Sequence, residues 1–192
     1  MPKRIANLLF LIALAGIFWL FSFVLNEWLC ETMPRHQVMQ LPVMFFLGIG
    51  VGLRFVKGWV IPLSWSIAVL IIVMASFIFW MLPHSIDLAV ISASFNRIMH
   101  LNMIVAGFLL VPVLHHSLFE IKIIFSGMLA AMLIAAGITL LTFNILLCSA
   151  FTIEQQKDTG MLLLIIGLVL YAVTITIFFR GLQKNKEKSL RS

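Results

Sequence analysis

Polar residues in this chain gather at the breaks between long apolar runs, and the runs carry almost no charge. Crossing the hydrocarbon layer takes roughly 20 mostly apolar residues. Six stretches meet that length: about 5–25, 37–56, 59–82, 97–117, 121–148 and 160–179. Backbone N–H and C=O groups in lipid must be satisfied within their own segment, so each run is predicted to be a helix. A membrane barrel would alternate apolar and polar positions with period two, and no segment does so. The expected fold is therefore all-α: a polytopic membrane bundle of six transmembrane helices in one domain spanning 1–192. Pro42, Pro62 and Pro112 fall inside the runs and are expected to kink them. Gly48, Gly50 and Gly52, and Ala130, Ala131, Ala135 and Ala136, are small enough to let helices approach closely.

Charge then orients the bundle. Lys3, Arg4, Arg54, Lys57, Lys122, Arg180, Lys184, Lys186, Lys188 and Arg191 fall on one side of the runs, against Arg35, Arg97 and Lys157 on the other. Short loops rich in Lys and Arg stay inside, which places both termini in the cytoplasm and the protein in the plasma membrane as a multi-pass chain. Glu27, Glu31, Asp87, Glu154 and Asp158 fall on the opposite, outer side. Lys3 and Arg4 before an apolar stretch also fit a signal peptide. The stretch is too long for one and lacks a small-x-small site before Asn26, so an uncleaved first helix is expected. Composition agrees, with 62% hydrophobic and 10% charged residues and a mean hydropathy of +1.14. The net charge of +6 is assigned to topology and anionic lipid, with the bilayer as partner and no nucleic acid.

Candidate chemistry collects at the outer end. Cys30, Met33, His36, Met39 and Gln40 precede or open the second run, and Met81, His84 and Asp87 follow the third. Asn96, Met99, His100 and Met103 open the fourth, and Cys148 closes the fifth. His36 and Gln40, Asn96 and His100, and Met99 and Met103 are each four apart, which puts each pair on one helix face. Imidazole, thioether and thiol together suit a soft ion, Cu(I) first, while zinc prefers a tetrahedral set of His, Cys or carboxylate. Methionine also fills gaps in apolar cores, and an interfacial histidine commonly serves as a hydrogen-bonding group. No Ser/His/Asp set, phosphate loop or His-x-x-x-His is present, so the chain is not expected to be an enzyme. The cysteines could pair, lend thiolates to copper or stay free.

Trp80-Met81-Leu82-Pro83, Asp87, Asn96, Met99-His100 and Ala106-Gly107 resemble the CtaG-type membrane proteins associated with cytochrome c oxidase assembly and copper delivery. His36-x-x-Met39-Gln40 and Glu154-Gln155-Gln156 resemble two further motifs of that family, and the resemblance covers about 36–178. A reduced pattern in an archaeal membrane family of unknown function is also similar. The resemblance implies copper as cofactor and a copper-dependent membrane oxidase or its subunits as partner. It departs where Gln40, Met81 and Asn96 replace histidines and Met99 replaces a glutamate. The site is then either retuned to Cu(I) or reduced to a structural role. The expected ligands are His36 and His100, with Met39, Met81, Met99 or Met103. Asp87, Asn96 and Gln40 are expected behind them, holding the rings in place. A structural subunit of a membrane enzyme complex, or a haem-b anchor using both histidines, are the alternatives.

Overall fold

The computed structural model describes residues 3–56, 58–143 and 145–189. Lys57 and Arg191, of the larger basic set, lie outside the described residues, as do the side chains of Lys3, Lys184, Lys186 and Lys188. Among the described residues eight α-helices follow in order: α1 Lys3–Trp19, α2 Asn26–Cys30, α3 Leu41–Phe55, α4 Leu63–Met81, α5 Pro83–Ile91, α6 Ala93–His116, α7 Phe119–Thr142 and α8 Ile153–Ser189. Two π-helical turns, Leu20–Val24 and Arg35–Gln40, join α1 to α2 and lead into α3. There is no strand among the described residues. Six helical segments among the described residues are long and apolar enough to cross a membrane: Arg4–Val24, Arg35–Phe55, Leu63–Met81, Ala93–His116, Phe119–Thr142 and Ile153–Gln183.

The helices differ from the apolar runs in explicable ways. Pro62 caps α4 in an extended conformation, a position that needs no helical N–H, whereas Pro42 comes just after the second π turn inside the continuous span Arg35–Phe55 and Pro112 lies inside α6. Leu82, extended ahead of Pro83, separates α4 from α5. The fifth run was expected to reach residue 148, but α7 stops at Thr142. The sixth helix begins earlier than expected, at Ile153.

Two close pairs organise the bundle, α3 with α6 and α7 with α8. A Cβ on Gly48 would strike the Ile104 carbonyl, and one on Gly107 the Phe45 carbonyl. On Gly137 it would come within 2.7 Å of the Gly160 carbonyl. Without a hydrophobic drive between helices in lipid, such backbone contact and polar ties supply the attraction. Of the small residues singled out in sequence, Gly48 and Gly52 face α6 and Ala130 is buried, while Ala131 and Ala135 are exposed. One apolar core joins α3, α4 and α6, with Met44, Phe45, Val73, Phe77, Trp80, Met99 and Met103. A second, at the end bearing α2 and α5, holds Met33, Ile86, Leu140, Cys148, Phe151 and Leu163. Helix α1 is peripheral, with 6% of its span buried. It is tied at one end where Arg54 Nε donates to Asn7 Oδ1 at 2.7 Å, and at the other by its π turn.

Candidate functional site

Polar residues at four-residue spacing on three segments meet inside the bundle at the α2/α5 end. Ser22 comes from the first π turn, Asn26 and Cys30 from α2, His36 and Gln40 from the second π turn, and Asn96 and His100 from α6. Both π turns contribute members, in keeping with the frequent placement of such turns at functional sites. Ser22, His36, Gln40, Asn96 and His100 are buried.

The hydrogen bonds fix most of the chemistry. Gln40 Nε2 donates to the Phe21 carbonyl at 3.1 Å and to Asn26 Oδ1 at 3.0 Å. A backbone carbonyl can only accept, so the Gln40 amide must turn its oxygen to His36. His36 Nδ1, 2.7 Å from Gln40 Oε1, is therefore the protonated nitrogen, and Nε2 of the neutral ring is a bare lone pair. Asn96 Nδ2 donates to Asn26 Oδ1 at 2.6 Å and to Cys30 Sγ at 3.5 Å. Cys30 Sγ lies 3.8 Å from His36 Nδ1. On the other side, His100 Nδ1 pairs with Ser22 Oγ at 2.9 Å.

What is left over matters most. His36 Nε2, His100 Nε2 and Asn96 Oδ1 are buried with no hydrogen-bond partner among the described residues. A buried polar atom without a partner costs about 1–3 kcal/mol. His36 Nε2 and Asn96 Oδ1 are both acceptors, so the cluster is completed by a cation or a hydrogen-bond donor. A histidine tied through one ring nitrogen with the other free is the arrangement that metal-ligating histidines adopt. Among the described residues no three His, Cys, Asp or Glu side chains gather as a metal site, so an ion here would rest on two imidazoles with amide or sulfur support.

Several expected members lie elsewhere. Met39 shares the turn of His36 and Gln40 but faces out, 44% exposed. Met99 and Met103 are buried in the core of α3, α4 and α6, on the helix that carries His100. Met81, at the last turn of α4, packs into the second core instead. Asp87 does not fix a histidine. Because α5 forms its own short helix over the α7–α8 connection, the Asp87 carboxylate accepts from Ser149 N and Oγ, both at 2.8 Å, and from Ala150 N at 3.0 Å. Its expected place behind the ring is taken by Gln40. His84, His115 and His116 are exposed.

Sequence reasoning overlooked Ser22 and Asn26, although Ser22, Asn26 and Cys30 form a polar stripe every fourth residue from the end of an apolar run. It also overlooked the grip on the α7–α8 connection. Gln156 Oε1 accepts from Leu147 N and Cys148 N, and its Nε2 donates to the carbonyls of Cys148 and Phe151. Both cysteines are free among the described residues. Burial pushes the Cys30 thiol up to about 11, partly offset by the Asn96 N–H. Burial pushes Cys148 up to about 12, with the Asp87 charge adding to it.

No family model, curated protein or solved structure matches this chain.

Proposed function

We propose that this chain is a multi-pass plasma-membrane protein that holds copper as Cu(I) at His36 and His100 and assists the assembly of a copper-dependent membrane oxidase. The observation that carries the reading is the pair of buried imidazoles, each tied through Nδ1, with Nε2 bare. Imidazole suits copper, and a sulfur nearby favours the reduced ion over harder cations; here Cys30 is that sulfur. A site of few protein donors also suits a carrier, which must release its metal, better than a closed tetrahedral cage would. The resemblance to CtaG-type proteins supports the class of client, and the excess of basic residues near the opposite end of the bundle supports an outward-facing site.

The test is metal analysis of detergent-purified protein loaded under reducing conditions. The parent is expected to retain copper through desalting, and His36→Ala with His100→Ala is expected to lose the ion held by the pair while keeping its helical circular dichroism. A parent without copper, or a double variant with undiminished copper, overturns the reading.

A second reading, a structural subunit of a membrane enzyme complex, is favoured by the way Ser22, Asn26, Gln40 and Asn96 bond to one another and would lock three segments together without a guest. A haem-b anchor fits less well: a porphyrin between His36 and His100 needs α3 and α6 apart, whereas Gly48 and Gly107 hold their backbones in contact a few turns away.

A further inference from the structure

We propose that Met33, Met81 and Cys148 form a second Cu(I) site, separate from the histidine pair and backed onto it across the second π turn. All three sulfur side chains line one cavity of about 110 Å³. Met33 and Cys148 are completely buried, and the other walls are largely aliphatic, among them Ile86, Leu140 and Leu163. The volume admits an ion or a few waters but no organic cofactor.

A second observation points to a guest. Gln37 lines the same cavity, is 5% exposed, and its Oε1 has no partner among the described residues. A bare amide oxygen buried on a residue that lines such a cavity is satisfied by a cation or a donor. Thioethers and a thiolate select a soft ion over magnesium, calcium or manganese.

The surroundings position the cysteine with unusual care. Asp87 and Gln156, from α5 and α8, together bind the backbone at Leu147, Cys148, Ser149, Ala150 and Phe151. These bonds satisfy the backbone of the α7–α8 connection and so hold the segment that carries Cys148 in place. The turn Arg35–Gln40 separates the two places, with His36 and Gln40 toward α1, α2 and α6, and Gln37 toward the cavity. On binding, Cu(I) replaces the thiol proton: the S–H bond breaks, an S–Cu bond forms, and the proton passes to solvent without change of oxidation state.

The choice of ion rests on the function proposed above; the sulfur set and the bare amide oxygen do not. The experiment is an anaerobic titration of the detergent-purified full chain with Cu(I) against a chromogenic Cu(I) chelator. The parent is expected to take up two ions, the variant Met33→Leu with Met81→Leu one, and Cys148→Ser one. The leucine pair preserves side-chain volume, and the cysteine variant gives an independent arm should one of them fold poorly, read as thiolate-to-copper ultraviolet intensity that Cys148→Ser loses and Cys30→Ser keeps. His36→Ala with His100→Ala is expected to retain one ion and the ultraviolet band. A parent that binds a single ion, lost in the histidine variant and kept in both sulfur variants, overturns this inference and leaves the proposed function standing. A single ion lost in the sulfur variants and kept in the histidine variant does the reverse. No copper in the parent overturns both.

Discussion

Gln40 is the residue on which the histidine cluster turns. Its amide is anchored by the Phe21 carbonyl and Asn26, and that anchoring decides which nitrogen of His36 carries the proton. Gln40→Leu removes the acceptor for Nδ1–H and frees the ring. Loss of such an outer partner typically weakens metal affinity 10–100-fold, so roughly that loss is expected in Cu(I) competition, with copper stoichiometry unchanged at saturation. Asn26→Ala acts on stability. It strands the Gln40 and Asn96 amide hydrogens, and about 1–3 kcal/mol is expected as a lowered Tm in detergent. The thiols make a third case. With Cys30 at about 11 and Cys148 at about 12, both are protonated at pH 8, since a raised thiol pKa leaves less thiolate below it. Alkylation by N-ethylmaleimide at pH 8 should then run roughly 100-fold or more slower than for an ordinary exposed cysteine, rising with pH toward 11. Spacing made His36, Gln40, Asn96 and His100 legible as partners, because residues four apart share a helix face. Nothing in the sequence could place Asp87 against Ser149 and Ala150, since that contact joins residues far apart in the chain.

Among the elements, α3 and α6 set the width of the site. Their contact at Gly48 and Gly107 leaves no room for a methyl group. Gly107→Ala should push the helices apart at a cost of about 1–3 kcal/mol, as overpacking does. Because His36 leads into α3 and His100 lies on α6, the same substitution should weaken copper retention. Thermal unfolding and copper analysis of one preparation read both effects. Helix existence followed from apolar length, but the ends did not. Ile145, Leu146 and Leu147 look as apolar as the helix before them, so the run could not reveal that α7 stops at Thr142. The connection is held instead by Gln156 and Asp87, contacts that hydrophobicity does not record. The short helices α2 and α5 were equally hidden, lying in stretches that composition marks as loops.

For the whole molecule, apolar runs pointed to six candidate spans and basic residues to an expected orientation. On that expectation, with both termini inside, reporter fusions at Lys186 and in the loop near His84 should report opposite compartments. The same compartment for both would remove the outward-facing site and the oxidase reading with it. Which helices neighbour which was not legible, because every lipid-facing surface is apolar and pairing depends on where single glycines oppose a carbonyl.

The two π turns carry a consequence for how this bundle tolerates change. Each accommodates one residue more than an α-helical hydrogen-bond pattern would, so each acts as a phase adjuster between a lipid-facing helix and the polar interior. Deleting Phe23 would take out the residue that the first turn absorbs, so an ordinary α-helix would run on with its flanks near their present phase, and Ser22 and Asn26, then three apart, would still share a face. A one-residue deletion near Leu11, in the regular and mostly exposed part of α1, meets no such slack and would turn Asn7 by roughly 100° away from Arg54. The first deletion should therefore keep the cluster, whereas the second should lose the tie between Asn7 and Arg54.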